Sequence, residues 1–478
     1  SGTTITVDQT GPTISTSSIA SDNATNTLAK SGDVVTLTIA TNENVTSPTV
    51  SFTSGGDAAT NADTVAGDSP GTSFTSTYTV AGGDTDGSVA ISISATDVAG
   101  NVTSNFTTIS GGSVTVDNTV PTLSSVSIAS DNSASTYAKV DDTITLTFTA
   151  AETIGTPTVT FQSGGAAIND GTVSYANPSG NTWTAKYDAN TGDTEGSVTF
   201  SIAFSDSTGN AGVAVTAVTD GTSVTFDKTA PTISTSSIAS DNSTTTLATT
   251  GDVVTLTIAT NENVTTPTVS FTSGGDAVTN SVSVSGTSPG TSFTATYTVH
   301  ASDTDGAVAI NISATDTTGN TTSNFTTISG GSVTVDQSGP ASFTTGAVTA
   351  VGGTVTANYW NGTNTSLKVT VPIANDASLE GGTLQLRANV ASGGYENFGS
   401  AYTITGDDLN GNYEFSNTAA VFEALSSGLS DGESVAFTAI LTDKSGNSTT
   451  GTASGTTITV DQTGPTISTS SIASDNAT

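Results

Sequence analysis

Cysteine and methionine are absent from all 478 residues, and histidine occurs once, as His300. A chain without thiolates forms no disulfide, and one imidazole is too little for a zinc site. It also holds no repeated nucleophile–base pair, so the expectation is a protein that is not an enzyme. Asp407 and Asp408 are adjacent in TGDDLNGN, which reads as a turn and not as a pair of catalytic acids. Basic residues are nearly as scarce: seven Lys and Arg stand against 42 Asp and Glu, for a formal charge of −35. That balance excludes nucleic acid and anionic membrane surfaces as partners, because both demand clustered Lys or Arg. No run of 18 apolar residues occurs, so no membrane insertion is expected, and no signal peptide is recognised. Freedom from sulfur and from most trypsin-like cleavage sites suits an extracellular or cell-surface setting.

Large apolar residues are also few: Leu, Ile, Val and Phe make up about a fifth of the chain, near the range where disorder prevails. Their arrangement decides otherwise. Ser1–Thr25 recurs letter for letter as Ser454–Thr478, a period of 453 residues. Inside it lies a shorter repeat marked by VDxTxP: Val7–Pro12, Val116–Pro121, Phe226–Pro231, Val335–Pro340 and Val460–Pro465. The prolines are 109, 110, 109 and 125 residues apart, so one long period holds four units of sandwich-domain size.

Within the first unit apolar residues alternate with Thr and Ser. Val35, Leu37 and Ile39 share one face, as do Phe74, Tyr78 and Val80, and Val89, Ile91 and Ile93. Such alternation, broken by Gly, Asn, Asp and Ser clusters, predicts half-buried β-strands. Six or seven strands per unit predict an all-β fold, a tandem array of Ig-like antiparallel β-sandwich domains with Greek-key order. The expected boundaries are 1–116, 117–226, 227–335 (a near-copy of the first), 336–460 (longer and divergent) and 461–478 (the start of another first repeat). A helical period competes only at Ala419–Leu429.

The VDxTxP linkers, GDVVTLTIATNE (Gly32–Glu43) and ATDxxGN resemble the bacterial immunoglobulin-like tandem repeats of giant secreted surface proteins. The resemblance covers the first three units and weakens in the fourth. It implies the extender region of an adhesin or the body of an extracellular fibre, often stiffened by calcium.

Acidic residues fall into columns: the linker Asp (Asp8, Asp117, Asp227, Asp336, Asp461), SDN (Asp22, Asp131, Asp241, Asp475), a strand-end Glu (Glu43, Glu152, Glu262), DT[DE]G, and DxxGN. The DT[DE]G pairs are Asp84 with Asp86, Asp193 with Glu195, and Asp303 with Asp305; DxxGN gives Asp97/Asn101, Asp206/Asn210, Asp316/Asn320 and Asp443/Asn447. Sandwich topology puts Asp22, Asp84 and Asp86 at the trailing pole of the first unit. It puts Asp117, Glu152, Asp206 and Asn210 at the leading pole of the second. The next joint has Asp131, Asp193, Glu195, Asp227, Glu262, Asp316 and Asn320. Oxygen ligands in that number suit Ca²⁺, which takes six to eight. The same residues also suit turns that need no ion.

Two functions remain open on the sequence. One is a structural spacer, in contact with neighbouring repeats of its own chain and open to lateral self-association into a filament. The other is a glycan- or surface-binding module in the fourth unit, using Arg387, Tyr359, Trp360 and Tyr395. Core packing is the competing role for Trp360 and for Trp183. Sequons at Asn44, Asn101, Asn105, Asn263, Asn324 and Asn361 come readily in a chain this rich in Thr, Ser and Asn. Lys30 and Lys139 have Thr249 as their counterpart in the third repeat, so a Lys–Asn staple is not a general device here.

Overall fold

Alternation of buried and exposed residues becomes paired β-sheet throughout the computed structural model, which describes residues 2–169, 171–425 and 429–473. Asp475 lies outside the described residues. Contacts divide the chain into two units, Ser1–Thr229 and Ala230–Thr478.

In the first unit, the first sandwich comprises β1 (Ile14–Ser21), β2 (Leu28–Ala29), β3 (Val34–Val45), β4 (Thr49–Ser54), β5 (Asp57–Ala58), β6 (Ala62–Ala66), β7 (Gly71–Thr79), β8 (Gly87–Thr96), β9 (Val102–Phe106) and β10 (Thr115–Val116). One sheet runs β1-β3-β7-β6 and the other β2-β10-β8-β4-β5, with β9 on β8. All pairings are antiparallel except β10 with β2. This is the two-sheet immunoglobulin-like arrangement. Val35, Leu37 and Ile39 of β3 meet Ile91 and Ile93 of β8 in one core, while the Thr residues between them face outward. Each such burial contributes about 1.5–3 kcal/mol, which is how a Thr-rich strand can still fold. The second sandwich repeats the plan around Leu146, Phe148 and Ile202. Gly87, at φ +142°, comes so close to Gly55 that an added Cβ would lie 2.7 Å from its Cα, so the first Gly of SGG and the Gly of DTDG are mutually dependent.

The second unit contains two further sandwiches with separate cores. The third reproduces the first strand for strand. The fourth departs from it. Its smaller sheet has only Val348–Val351, Ser366–Ile373 and Gly411–Thr418, with no strand in the place of β6. The intervening chain forms Tyr395–Asn397 and Tyr402–Thr403, and both pair with Thr383–Val390 in the opposite sheet. One short helix, α1 (Ala419–Glu423), buries Phe422 against Trp360 at a centroid distance of 4.8 Å. In the other sandwiches a Phe–Tyr pair supplies the aromatic contact: Phe52–Tyr78 at 5.3 Å, Phe161–Tyr187 at 4.8 Å and Phe271–Tyr297 at 4.9 Å. Among the described residues no helix is long and apolar enough to cross a membrane.

Candidate functional site at the linkers

The linker after β10 is held from both sides. From the sandwich before it, Asp86 accepts the Asn118 amide (2.7 Å) and the Thr119 hydroxyl (2.6 Å). The Asn118 side chain donates to the Ala81 and Asp84 carbonyls (3.1 and 3.2 Å). From the sandwich after it, the Asn210 side-chain amide donates to the Asp117 carbonyl (2.9 Å), and the Thr208 hydroxyl to the Asp117 carboxylate (3.2 Å). Two bonds cross the joint directly: Asn23 to the Thr208 carbonyl (3.0 Å) and the Lys30 ammonium to the Gly209 carbonyl (2.7 Å).

The parts recur. Glu195 takes the Lys228 amide and Thr229 hydroxyl, and Asp305 those of Gln337 and Ser338; Asp431 takes those of Gln462 and Thr463. Asn101 and Asn447 donate to the Asp8 and Asp336 carbonyls. The second acid of DT[DE]G is therefore a latch on the linker that follows, and the Asn of DxxGN a hold on the linker that precedes.

Beside this clamp, one ligand atom each from Asp117, Glu152 and Asp206 lies within 4.8 Å of the others. Asp206 is 5% exposed, and one of its oxygens is already taken by the amides of Thr208, Gly209 and Asn210. Its other oxygen accepts the Asn210 side chain and retains a lone pair. Burial pushes the Glu152 carboxyl above its ordinary range, and Asp117, Asp206 and Asp86 each push it further. Four carboxylates thus converge from both sandwiches and the linker. The ammonium of Lys30 goes to a backbone carbonyl in the neighbouring turn. Asp8, Glu43 and Asp97 form the same three-acid group at the leading pole of the first sandwich.

The other acids expected at the joints have different surroundings. Asp22 and Asp131 accept the Val34 and Thr143 amides (2.7 and 2.8 Å), twelve residues on within their own sandwiches. Asp84, 7% exposed, takes the Thr60 amide and hydroxyl and the Ala81 amide. Asp193, 1% exposed, takes the Asn169 and Asn190 amides. These four hold loops together. Asn210 offers the linker its amide nitrogen rather than an oxygen. In the second unit Glu262 sits in Val253–Val264, and Asp316 accepts the amides of Thr318, Gly319 and Asn320 as Asp206 does in its turn. Asp227 closes the last strand of the first unit through its amide to the Ala138 carbonyl. Sequence reasoning missed Asp33 and its counterparts Asp142 and Asp252. Each accepts the SDN asparagine (2.7 Å in all three), and their signal was the recurring GD or DD before the second long strand.

The fourth-unit aromatics do not form a surface. Trp360 is fully buried, which corrects its assignment to a sugar platform. Tyr359–Trp360 lies at one edge of its sheet and Tyr395–Asn397 at the other, with three strands between them, or about 19 Å at strand spacing. Arg387 donates to the Tyr395 carbonyl. His300 accepts the Ser302 amide on its Nδ1 in a half-buried turn.

No model of a protein family and no curated protein matches the sequence. Solved structures with similar folds include a tetra-tandem repeat from the extending region of a large adhesion protein, 16% identical, covering 94% of this chain and 100% of that one at a TM-score of 0.31. An I-band fragment of titin is 12% identical, covering 69% and 100% at a TM-score of 0.32. A marsupial T cell receptor is 13% identical, covering 66% and 100% at a TM-score of 0.27.

Proposed function

We propose that this chain is a non-catalytic structural segment of a long extracellular bacterial fibre or adhesin extender, in which Ig-like sandwiches maintain distance and direction. The observation that carries the reading is the linker of the first unit, hydrogen-bonded by Asp86 from one side and by Asn210 and Thr208 from the other. A passive tether needs no such clamp. The acidic, Thr-rich surface keeps such an array soluble and discourages edge pairing.

The joint also fits a calcium ion. Asp117, Glu152 and Asp206 would hold it, with Asp86 close enough to interact with Glu152. Their donor set is all oxygen, as a hard cation requires. When bound, the ion supplies the positive charge that the converging carboxylates lack. Asn210 and Thr208 orient Asp117, and the three turn amides fix Asp206.

Calcium at roughly 100 times its dissociation constant is expected to stabilise the second sandwich by about 2.7 kcal/mol. Glu152→Gln should lower the calcium bound in equilibrium dialysis by one equivalent per chain. Equal binding by the variant and the original chain would reject the site.

A further inference from the structure

The joint between the third and fourth sandwiches is built from the same template but lacks one part. Its linker acid is Asp336 and its turn acid Asp443, as expected from Asp117 and Asp206. The strand Ser366–Ile373, however, is followed by Ala374, Asn375 and Asp376 instead of a Glu at its end. The loop becomes a helical turn, Ala377–Leu379, with Leu379 buried. Asp376 turns inward to cap it, accepting the Ser378 amide (2.9 Å) and hydroxyl (2.8 Å). The Ser378 carbonyl then takes the Lys444 amide (2.9 Å), which ties this turn to the Asp443 loop. Among the described residues no third carboxylate joins Asp336 and Asp443.

Hydrogen bonds occupy the groups that remain. Asp336 accepts the Ser445 hydroxyl (2.8 Å) on one carboxylate oxygen and the Ser338 amide (3.1 Å) on the other. Asn447 donates to the Asp336 carbonyl and to Asp443. Across the joint Asn242 donates to the Ser445 carbonyl (2.9 Å), and the Thr249 hydroxyl to the Asn447 side-chain oxygen (2.5 Å). Gln337 reaches back to the His300 and Asp303 carbonyls (2.9 and 2.7 Å) and accepts the Thr250 hydroxyl. At the first joint the place of Thr249 is held by Lys30, whose bond goes to a different acceptor. Burial pushes the Asp443 carboxyl up, Asn447 pulls against that, and Asp336 adds to the rise. Asp117 and Asp206 carry bonds of the same kind, so the missing Glu is what separates the joints: two carboxylates alone fall short of the oxygen set that calcium selects.

We propose that the joint between the third and fourth sandwiches takes no divalent cation and stays ordered without one. Each 453-residue period then contains a calcium-insensitive joint as well as the calcium-sensitive first joint. The contrast rests on the cation reading of the first joint, whereas the order of this joint rests on its own hydrogen bonds.

The absence of cysteine makes the test direct, because introduced thiols are the only ones to be labelled. Two full-length chains are prepared, Ser51→Cys with Thr160→Cys across the first joint and Ser270→Cys with Ser416→Cys across the third. Spin-label distance distributions are recorded in calcium and in chelator. The expected result is broadening in chelator for the first pair and an unchanged narrow distribution for the second. Broadening at both joints overturns the proposal and leaves the cation reading standing. A second pair that is broad in both conditions also overturns it. No change at either joint rejects the cation reading, and with it the contrast between joints. In a Thr249→Val, Ser445→Ala background the second pair should broaden with or without calcium; an unaltered distribution there overturns the hydrogen-bonded account of this joint.

Discussion

Trp360→Ala is expected to destabilise the fourth sandwich by about 3–5 kcal/mol, the usual cost of emptying a large aromatic site in a core. The indole is fully buried beside Phe422, which also packs against Phe398 and Phe437 in the same core. Hydrogen exchange followed by mass spectrometry on the full chain should show protection lost between the Pro340 and Pro465 linkers and retained elsewhere. The two readings of this residue diverge here. A surface tryptophan poised for sugar would cost only about 0.5 kcal/mol on removal. A fourth sandwich as well protected in the variant as in the original chain would contradict the core placement.

The second large effect separates two acids that stand two residues apart. Asp84→Ala should destabilise the first sandwich by about 3 kcal/mol, because it strands the Thr60 and Ala81 amides at a nearly buried site. Asp86→Ala removes an exposed latch, so the sandwich should keep its stability to within about 0.5 kcal/mol while the linker loosens. Acid discriminates further. Burial pushes the Asp84 carboxyl up, but the Ala81 and Thr60 bonds outweigh it and hold the group below the usual carboxylate range. The folded chain therefore binds this proton less readily than the unfolded one. Its stabilisation is complete above the ordinary Asp range and is lost as pH falls through the native value. Denaturant melts of the original chain should show that acid-side loss, and Asp84→Ala should show less of it. Equal destabilisation by the two substitutions would contradict the division of roles within DTDG.

Much of the fold was legible in the sequence. Period-two alternation at Val35, Leu37 and Ile39 marked a strand with one buried face, and a Thr on the other face fits that geometry. The VDxTxP spacing set the number of sandwiches. Topology alone brought Asp117, Glu152 and Asp206 together, because strand-end and hairpin positions at one pole must be neighbours.

The individual acids were harder to read. Asp84 and Asp86, or Asp193 and Glu195, look alike in a column, yet one faces a loop amide and the other the linker. That difference depends on which way a turn points, and no spacing reveals it. The fourth sandwich was opaque for a related reason. Its chain stays in the larger sheet at Tyr395–Asn397, which pairs back on Thr383–Val390 instead of crossing over, so the TLQLRANV and YENF stretches pair at the edge away from Trp360. Composition signalled aromatic and basic groups there, but sheet order alone separates them.

Force spectroscopy on the full chain tests most directly whether these sandwiches are independent mechanical elements in series. Their cores share no residue. Stretching should therefore give four separate unfolding events. With repeat lengths of 109, 110, 109 and 125 residues, three should release about 350–400 Å of chain and one about 400–450 Å, at up to about 3.6 Å per residue. A single concerted release spanning two or more repeats would contradict the account.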